Sequence, residues 1–140
     1  NHFDFVVCRS LLHHLDEPKL GLMEMFRVLK PGGAWVCWDP NHGFIYNIIR
    51  VIFQRTDRFS HLHKSFNDKE LFKLVEDSGF KISLKRYIGY LAYPLLAFPD
   101  IINFRIPIEI GRLIMWFDNL ISKSPLKRLS WSLMIRAIKE

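Results

Sequence analysis

The sequence predicts an α/β fold organised around a parallel pair of strands, and three observations support this. Two short apolar runs, Phe3 to Cys8 and Ala34 to Trp38, suit buried strands. Between them, apolar side chains recur at the i, i+3, i+4, i+7 spacing of one helix face: Leu22, Met25, Phe26 and Leu29. A strand, a helix and a strand in this order form a βαβ unit, whose crossover is right-handed.

The first strand and the helix carry local boundary signals. We expect Phe3 to Cys8 to be buried on both faces of the sheet, because it is a short apolar run. Asp16 is a candidate N-cap, and Pro18 suits the first helical turn, where no backbone donor is needed. Pro31-Gly32-Gly33 is expected to end the helix before the second strand begins.

A second helix and two further strands are predicted later in the chain. Asn67 can cap the helix, and Glu70 stands three residues later, as in a capping box. Gly79 occupies the position that terminates a helix, and Lys81 to Tyr87 alternates well enough to form a strand. Trp131 to Lys139 is predicted to be the final strand.

Between these strands lies an apolar segment, Tyr87 to Ile106, followed by a helix that starts at Pro107. The apolar residues of this helix share one face: Ile110, Leu113, Ile114, Phe117, Leu120 and Ile121. We expect the segment to pack on the sheet and roof the site, or else to form an apolar acceptor pocket or an interfacial membrane contact. The membrane alternative is kept open by basic residues beside two tryptophans: Lys123, Lys127 and Arg128 beside Trp116 and Trp131.

The residues near the start of the chain follow a specific order, Phe3-Asp4, Leu12-His13-His14-Leu15, Glu24 and Arg27-Val28-Leu29-Lys30-Pro31-Gly32-Gly33. This string resembles class I S-adenosylmethionine-dependent methyltransferases of the small-molecule type. In that family it carries the fourth strand, the next helix and the fifth strand. The resemblance implies a partial Rossmann-like fold with strands in the order 4-5-7-6, strand 7 antiparallel, plus an inserted apolar helical segment.

We expect the 140 residues to form a single partial domain, the C-terminal half of a methyltransferase domain. Its predicted parts are a core βαβ unit at 1–42, a variable lid at 43–66, a helix and strand at 67–87, an apolar helical insertion at 88–122 and a final strand at 123–140.

The loop after the first strand is the first candidate site, because ligands bind at the carboxyl ends of strands in open α/β sheets. The resemblance implies that Arg9, Ser10 and Leu11 bind the methionine part of S-adenosylmethionine, partly through backbone groups. His14 could face the acceptor and act as a general base, since imidazole titrates near neutral pH. Alternatively, His13 and His14 only cap and pack the helix entry, and the enzyme works by alignment alone.

The loop after the second strand is expected to form part of the acceptor pocket. Its candidate substrate-binding residues, besides His14, are Asp39, Asn41 and His42, with Tyr46 just beyond them. The loop could equally be an ordinary turn with Asn41 capping a following helix. His61 and His63 have the spacing of a metal pair, but no third ligand is evident nearby, so no metal is expected.

The cofactor half of the family pattern is not found in this chain. None of the seven glycines forms a G-x-G turn between a strand and a helix, and no acidic ribose ligand can be identified. We therefore expect the chain alone to bind S-adenosylmethionine weakly or not at all, and to be inactive by itself. Without neighbouring strands, Phe3 to Cys8 would be an apolar edge through which the chain could self-associate.

The composition limits the kinds of partner molecule and the location that we expect. The net charge of +6 suggests an anionic partner or surface, but the basic residues are spread out, and no nucleic-acid binding is expected. No apolar run reaches the roughly 18 residues that span a bilayer, and we expect no signal peptide. Cys8 and Cys37 are expected to be buried thiols rather than a disulfide. We expect a cytoplasmic protein, or one held peripherally at the membrane through residues 88–122.

Two functions from different classes follow. The first is methyl transfer to an O, N or C atom of a small, rather apolar acceptor. The second is a degenerate, non-catalytic methyltransferase fold used for binding, including at a membrane surface. The polar groups at the two candidate loops favour the enzyme.

Overall fold

The computed structural model describes residues 1–41, 66–92 and 106–140. The predicted site residues His42 and Tyr46, the histidines of the H-x-H pair and most of the predicted lid lie outside these ranges. In chain order the described elements are β1 (Phe3–Arg9), α1 (Pro18–Val28), β2 (Leu29–Pro40), α2 (Asp68–Glu76), β3 (Phe80–Ile88), α3 (Ile108–Ser122) and β4 (Ser132–Lys139). Short 3₁₀ turns lie at Leu12–His14 and Pro125–Leu129.

The four strands form one sheet in the order β1-β2-β4-β3. β1 and β2 are parallel, whereas β4 runs antiparallel to both of its neighbours, β2 and β3. The last strand of the chain is therefore inserted between the second and third strands. This confirms the predicted α/β class, the strand order 4-5-7-6 and the antiparallel final strand.

One face of the sheet carries the core. Trp35 of β2 and Ile135 of β4 are fully buried there, under Leu22 of α1 and Leu71 and Val75 of α2. The helices cover this face because their apolar residues recur at the 3.6-residue period. The parallel pair β1 and β2 is thereby held with its carboxyl ends at one edge of the sheet, where the candidate loops begin.

The predicted start of α1 is wrong by one residue. The N-cap position is Glu17 rather than Asp16, and no side chain caps the helix. Pro18 is nevertheless the first helical residue, as expected, because it gives up no hydrogen bond there.

The predicted end of α1 is also wrong. The helix stops at Val28, because Leu29 already has an extended backbone and pairs with Phe3 of β1. Pro31-Gly32-Gly33 therefore lies within β2, where the register shifts between Phe3 and Phe5. Gly32 has a φ of 78°, which glycine adopts without steric cost.

The capping box of α2 is confirmed. The side chain of Asn67 accepts a hydrogen bond from the Glu70 backbone at 3.0 Å, and the Glu70 carboxylate accepts one from the Asn67 backbone at 3.0 Å. Gly79, with a φ of 93°, turns the chain into β3 beneath the ring of Phe26. These two signals are local, which is why the sequence predicts the ends of this helix well.

The prediction that β1 is buried on both faces is wrong within the described chain. Val6 and Cys8 face the core, but Phe5 and Val7 on the other face are 68% and 72% exposed. β1 is an edge strand of the sheet, and none of the described helices packs over that face. β1 is thus an exposed apolar edge strand of the kind that can pair with a strand of another chain. Self-association through it stays a prediction.

The helix predicted after Pro107 is present as α3, but its apolar face is not the face that is buried, and its role as a roof, an acceptor pocket or a membrane contact stays a prediction. The one buried residue of α3 is Asp118. Apolar side chains on its opposite side are exposed, and we call them the outer face of α3: Ile110, Leu113, Trp116, Phe117 and Leu120. None of the described helices is long and apolar enough to cross a bilayer.

Candidate functional site

A buried carboxylate joins the two loops at the ligand edge of the sheet. Asp39, near the carboxyl end of β2, is 1% exposed. Its Oδ2 accepts a hydrogen bond from the backbone N–H of Leu12 at 2.9 Å, and its Oδ1 is hydrogen-bonded to Nδ1 of His13. The loop after β1 is therefore held against the end of β2 through charge-assisted hydrogen bonds, which are stronger than neutral ones.

The chain turns sharply as it leaves β1. Ser10 has a φ of 49°, a left-handed conformation that non-glycine residues seldom adopt, and its N–H donates to the carbonyl of Trp38 at 2.7 Å. The strain is of order 1–3 kcal/mol and persists only where surrounding contacts fix the backbone. Arg9, Ser10 and Leu11 are all exposed. The predicted cofactor-binding residues thus lie at the surface of the ligand edge.

Arg9 is positioned by an aromatic ring. Its guanidinium lies 4.7 Å from the ring centroid of Trp38, close enough for a cation–π interaction. The carboxyl ends of β1 and β2 therefore present a cation and an aromatic face side by side.

The two neighbouring histidines have different environments. His13 is buried and bound to Asp39, whereas His14 is exposed, and their ring centroids are 4.0 Å apart. The backbone N–H of His14 donates to the carbonyl of Leu11 at 3.0 Å, which closes the 3₁₀ turn. His14 is therefore the histidine of this pair that faces solvent, and its role as a base stays a prediction.

Asn41 ties the end of β2 to a neighbouring segment through its amide nitrogen and its backbone N–H. It is 2% exposed, and its Nδ2 donates to the carbonyl and the hydroxyl of Ser130 at 3.1 and 3.2 Å and to the carbonyl of Arg128 at 3.3 Å. Its backbone N–H donates to the carbonyl of Trp131 at 2.8 Å. Asn41 thereby ties the end of β2 to the segment that enters β4.

Two thiols lie beneath the site. Cys8 and Cys37 are register neighbours on β1 and β2, and both are free and buried, as expected. The hydrogen bond to Cys8 raises the pKa of Cys37, and burial raises that pKa further. Cys37 therefore stays protonated near neutral pH, and its Sγ donates weakly to Asp39 Oδ2 at 3.6 Å.

A cavity of about 890 Å³ adjoins Arg9 and Trp38. Its other walls come from β3, α3 and the turn after α3: Lys85, Arg86, Tyr87, Ile88, Gly89, Ala92, Met115, Asp118, Asn119, Ser122, Lys123 and Lys127. A volume of this size is that of a small-molecule site. Among the described residues that line it, five side chains are basic and one is acidic.

The one acidic side chain among the described cavity residues is already bound. The Asp118 carboxylate accepts hydrogen bonds from the backbone N–H groups of Tyr90, Leu91 and Ala92 at 3.0, 2.7 and 3.2 Å. Burial raises the pKa of Tyr87 and of Tyr90 to about 12. Neither phenol is therefore a base near neutral pH.

The structure brings together part of the predicted site. Arg9, Ser10, Leu11 and His14 share one loop, and Asp39 lies directly beneath it. His42 and Tyr46 lie outside the described residues. Within ranges 1–41, 66–92 and 106–140, no group of three His, Cys, Asp or Glu side chains could hold a metal ion.

Sequence reasoning missed the pair formed by His13 and Asp39, and it missed the cavity walls on β3 and α3. The signal for the pair was present, because both residues follow strands that the sequence predicts to be adjacent and parallel. Polar residues at the carboxyl ends of such strands are expected to meet.

The chain is similar to known methyltransferases. Residues 1–37 match the family model described as a methyltransferase domain. The demethylmenaquinone methyltransferase of Oceanobacillus iheyensis is 30% identical over 112 residues, which cover 66% of this chain and 47% of that protein. The ubiquinone/menaquinone biosynthesis C-methyltransferase of Desulfotalea psychrophila is 39% identical over 57 residues, covering 39% of this chain and 23% of that protein.

A solved structure extends the likeness along the chain. A SAM-dependent methyltransferase from Thermotoga maritima superimposes with a TM-score of 0.61 and 18% identity, covering 99% of this chain and 56% of that one. The matches thus span about half of the first relative and of the Thermotoga maritima chain, and about a quarter of the second relative.

Proposed function

We propose that this chain, which has the fold of the second half of a class I methyltransferase domain, supplies the acceptor side of an enzyme that methylates a small, rather apolar molecule. The methyl donor is S-adenosylmethionine. The match of residues 1–37 to a methyltransferase-domain model and the methyltransferases that share the fold support this proposal.

One observation carries the proposal: Asp39 fixes the loop that follows β1. His13 and the Leu12 N–H bind its carboxylate, so the exposed residues before them are fixed against the ligand edge. A preorganised loop matters for methyl transfer, because the enzyme mainly aligns two reactants. The left-handed backbone of Ser10 fits this role, since strained conformations concentrate at ligand sites.

The residues present fit one side of a bound S-adenosylmethionine. Arg9, Ser10 and Leu11 would hold its methionine part, because they are exposed where the parallel strands end. When bound, it supplies a methyl group on a cationic sulfur, which the lone pair of the acceptor takes as the carbon–sulfur bond breaks toward sulfur. The Gly turn and the acidic ribose ligand of the family were not found in this chain, so the chain alone would bind the donor weakly.

The cavity beside Arg9 is the proposed acceptor pocket. Trp38 supplies an aromatic wall, and Ile88 and Met115 supply further apolar surface. His14 is the candidate base for an acceptor that must lose a proton. Demethylmenaquinone, the substrate named for one of the relatives, is a sensible first acceptor to try.

The test measures binding and transfer in the complete protein. Calorimetry with S-adenosylhomocysteine should show binding, and labelled S-adenosylmethionine should transfer its methyl group to an added acceptor such as demethylmenaquinone. Replacing Asp39 with Asn should weaken binding, whereas replacing the exposed Asp4 with Asn should not. Binding that is unaffected by Asp39→Asn would contradict the role of the loop.

The alternative is a non-catalytic binding module with the same fold. One observation favours it: the carboxylate of Asp39 and the amide nitrogen of Asn41 form hydrogen bonds within the chain instead of facing a ligand. Fold alone does not select an activity. A complete protein that binds no S-adenosylhomocysteine would favour this alternative over the enzyme.

A further inference from the structure

The orientation of α3 is the reverse of what its composition would ordinarily produce. An amphipathic helix normally buries its apolar stripe and exposes its charges. In α3 the one buried residue is Asp118, and its carboxylate is bound by three consecutive backbone N–H groups that follow β3. Because those N–H groups need the carboxylate, rotating the helix would leave buried donors unpaired. The helix is therefore fixed with its apolar stripe directed away from the sheet.

The outer face of α3 is a continuous apolar surface. Its residues recur at the spacing of one helix side, and they are between 45% and 55% exposed: Ile110, Leu113, Trp116, Phe117 and Leu120. The rings of Trp116 and Phe117 contact each other edge to face, with centroids 5.0 Å apart. Leu126, in the turn that follows, is 56% exposed as well. A contiguous patch of this kind marks an interaction site rather than ordinary surface.

Basic residues border this surface. Arg112 and Lys123 lie along one side of the outer face, and both are exposed. Lys127 and Arg128 follow in the turn next to Leu126, and Lys123 and Lys127 also line the cavity. Two acidic residues stand near these basic ones: Glu109, in the first turn of α3, and Asp68, whose Oδ2 lies 3.7 Å from Nε of Arg128, whereas Asp118 is buried. The surface therefore combines apolar, aromatic and cationic groups.

We propose that the outer face of α3 docks on an anionic lipid surface, with the helix lying in the plane of the interface. A strongly apolar face that carries Trp and Phe and is flanked by Lys and Arg is the composition of interfacial helices. Each Lys or Arg near an anionic membrane adds to the attraction. Charge complementarity thus selects an anionic bilayer over a neutral apolar partner.

Docking in this orientation would leave α3 between the cavity and the membrane. Met115, Asn119 and Ser122 line the cavity from the inner side of the same helix. The docking does not rest on the proposed function.

The test is sedimentation of the complete protein with vesicles of phosphatidylcholine containing phosphatidylglycerol, compared with vesicles of phosphatidylcholine alone. We expect binding to the anionic vesicles and much weaker binding to the neutral ones. The double variant Leu113→Ser with Trp116→Ser should lose at least about tenfold in partitioning, because it removes the apolar contact. The matched control is Leu20→Ser with Met23→Ser, which makes the same change on exposed residues of α1.

Charge variants test the electrostatic part. Lys123→Gln with Lys127→Gln should weaken binding roughly fivefold for each lysine, since each contributes about 1 kcal/mol near an anionic surface. Lys19→Gln with Lys69→Gln is the control on other exposed lysines. Equal binding of the α3 variants and their controls would overturn the proposal. The proposal would also be overturned if the unmodified protein bound no vesicles and were a dimer that the α3 variant converts to a monomer. In that case a second copy of the chain would cover the outer face of α3.

A measurement on the folded, nearly unaltered protein guards against a double variant that fails to fold. Lipids brominated along their chains should quench the fluorescence of Trp116, and Trp116→Phe should remove that quenching while the protein still binds. Quenching that is the same with and without Trp116 would overturn the proposal.

Discussion

Asp39, at the end of β2, is hydrogen-bonded to the ring of His13, which lies 26 residues earlier in the loop after β1. The contact joins the carboxyl ends of two parallel strands, so it fixes the relative position of the two loops that form the ligand edge. The same carboxylate also binds the backbone of Leu12. Loop position at this edge therefore depends on one buried side chain.

Replacing Asp39 with Asn should destabilise the fold by about 1–3 kcal/mol, because a buried charged acceptor with two hydrogen bonds is lost. The free energy of unfolding in urea measures this effect. Asp4→Asn is the matched control, since Asp4 is exposed and its ion pair with Lys30 is a surface one, which contributes about 0–1 kcal/mol. Equal losses in the two variants would contradict the importance of the buried contact.

Replacing His14 with Ala in the complete protein tests general-base catalysis. If His14 is the base, the rate of methyl transfer at saturating substrate should fall by at least about tenfold, or about 1.4 kcal/mol of barrier. The pH dependence of that rate near neutrality should disappear as well. His2→Ala, at the opposite end of β1, is the control for loss of an exposed histidine. A smaller loss with an unchanged pH profile would show that alignment of the acceptor suffices.

The sequence predicted the sheet better than it predicted the surfaces of the helices. Strand order followed from the resemblance, and the capping box at Asn67 followed from local spacing. The face of α3 that is buried could not be predicted, because periodicity shows which side chains share a face but not which face meets the sheet. That choice depends on Asp118 binding backbone groups 26 to 28 residues away.

The candidate site shows the same division. Arg9 and Asp39 were identifiable because they stand at predicted strand ends. Their surroundings were not, since the contact of His13 with Asp39 depends on the register between β1 and β2. The early end of α1 was missed because Leu29 pairs with Phe3 instead of continuing the helix.

The exposed face of β1 should make the 140-residue chain associate with itself. Phe5 and Val7 form an apolar surface on an edge strand, and such edges are templates for pairing. Phe5→Lys should therefore shift the chain toward monomer in sedimentation velocity at high protein concentration. Leu20→Lys on α1 changes an equally exposed apolar residue and should leave association unchanged. An unmodified chain that stays monomeric at every concentration would contradict this prediction.

The two tyrosines of the cavity region should make stability fall at alkaline pH. Burial raises the pKa of Tyr87 and of Tyr90 from the ordinary 10.0 to about 12. A raised pKa means that the folded state holds these protons more tightly than the unfolded state does. Their contribution is therefore fully present below pH 10 and is lost as the pH rises through about 12.

The variant Tyr87→Phe with Tyr90→Phe should show a shallower loss of unfolding free energy between pH 10 and 12 than the unmodified protein. At neutral pH the same variant should be less stable, by about 1 kcal/mol for each lost hydrogen bond. The bonds in question join Tyr87 to Asp68 and Tyr90 to the carbonyl of Lys127. The lost hydrogen bonds lower the unfolding free energy at neutral pH, whereas the lost titration changes the slope of the profile at alkaline pH. Urea unfolding at several pH values therefore separates the two effects. Parallel profiles for the two proteins would show that these phenols do not titrate differently on folding.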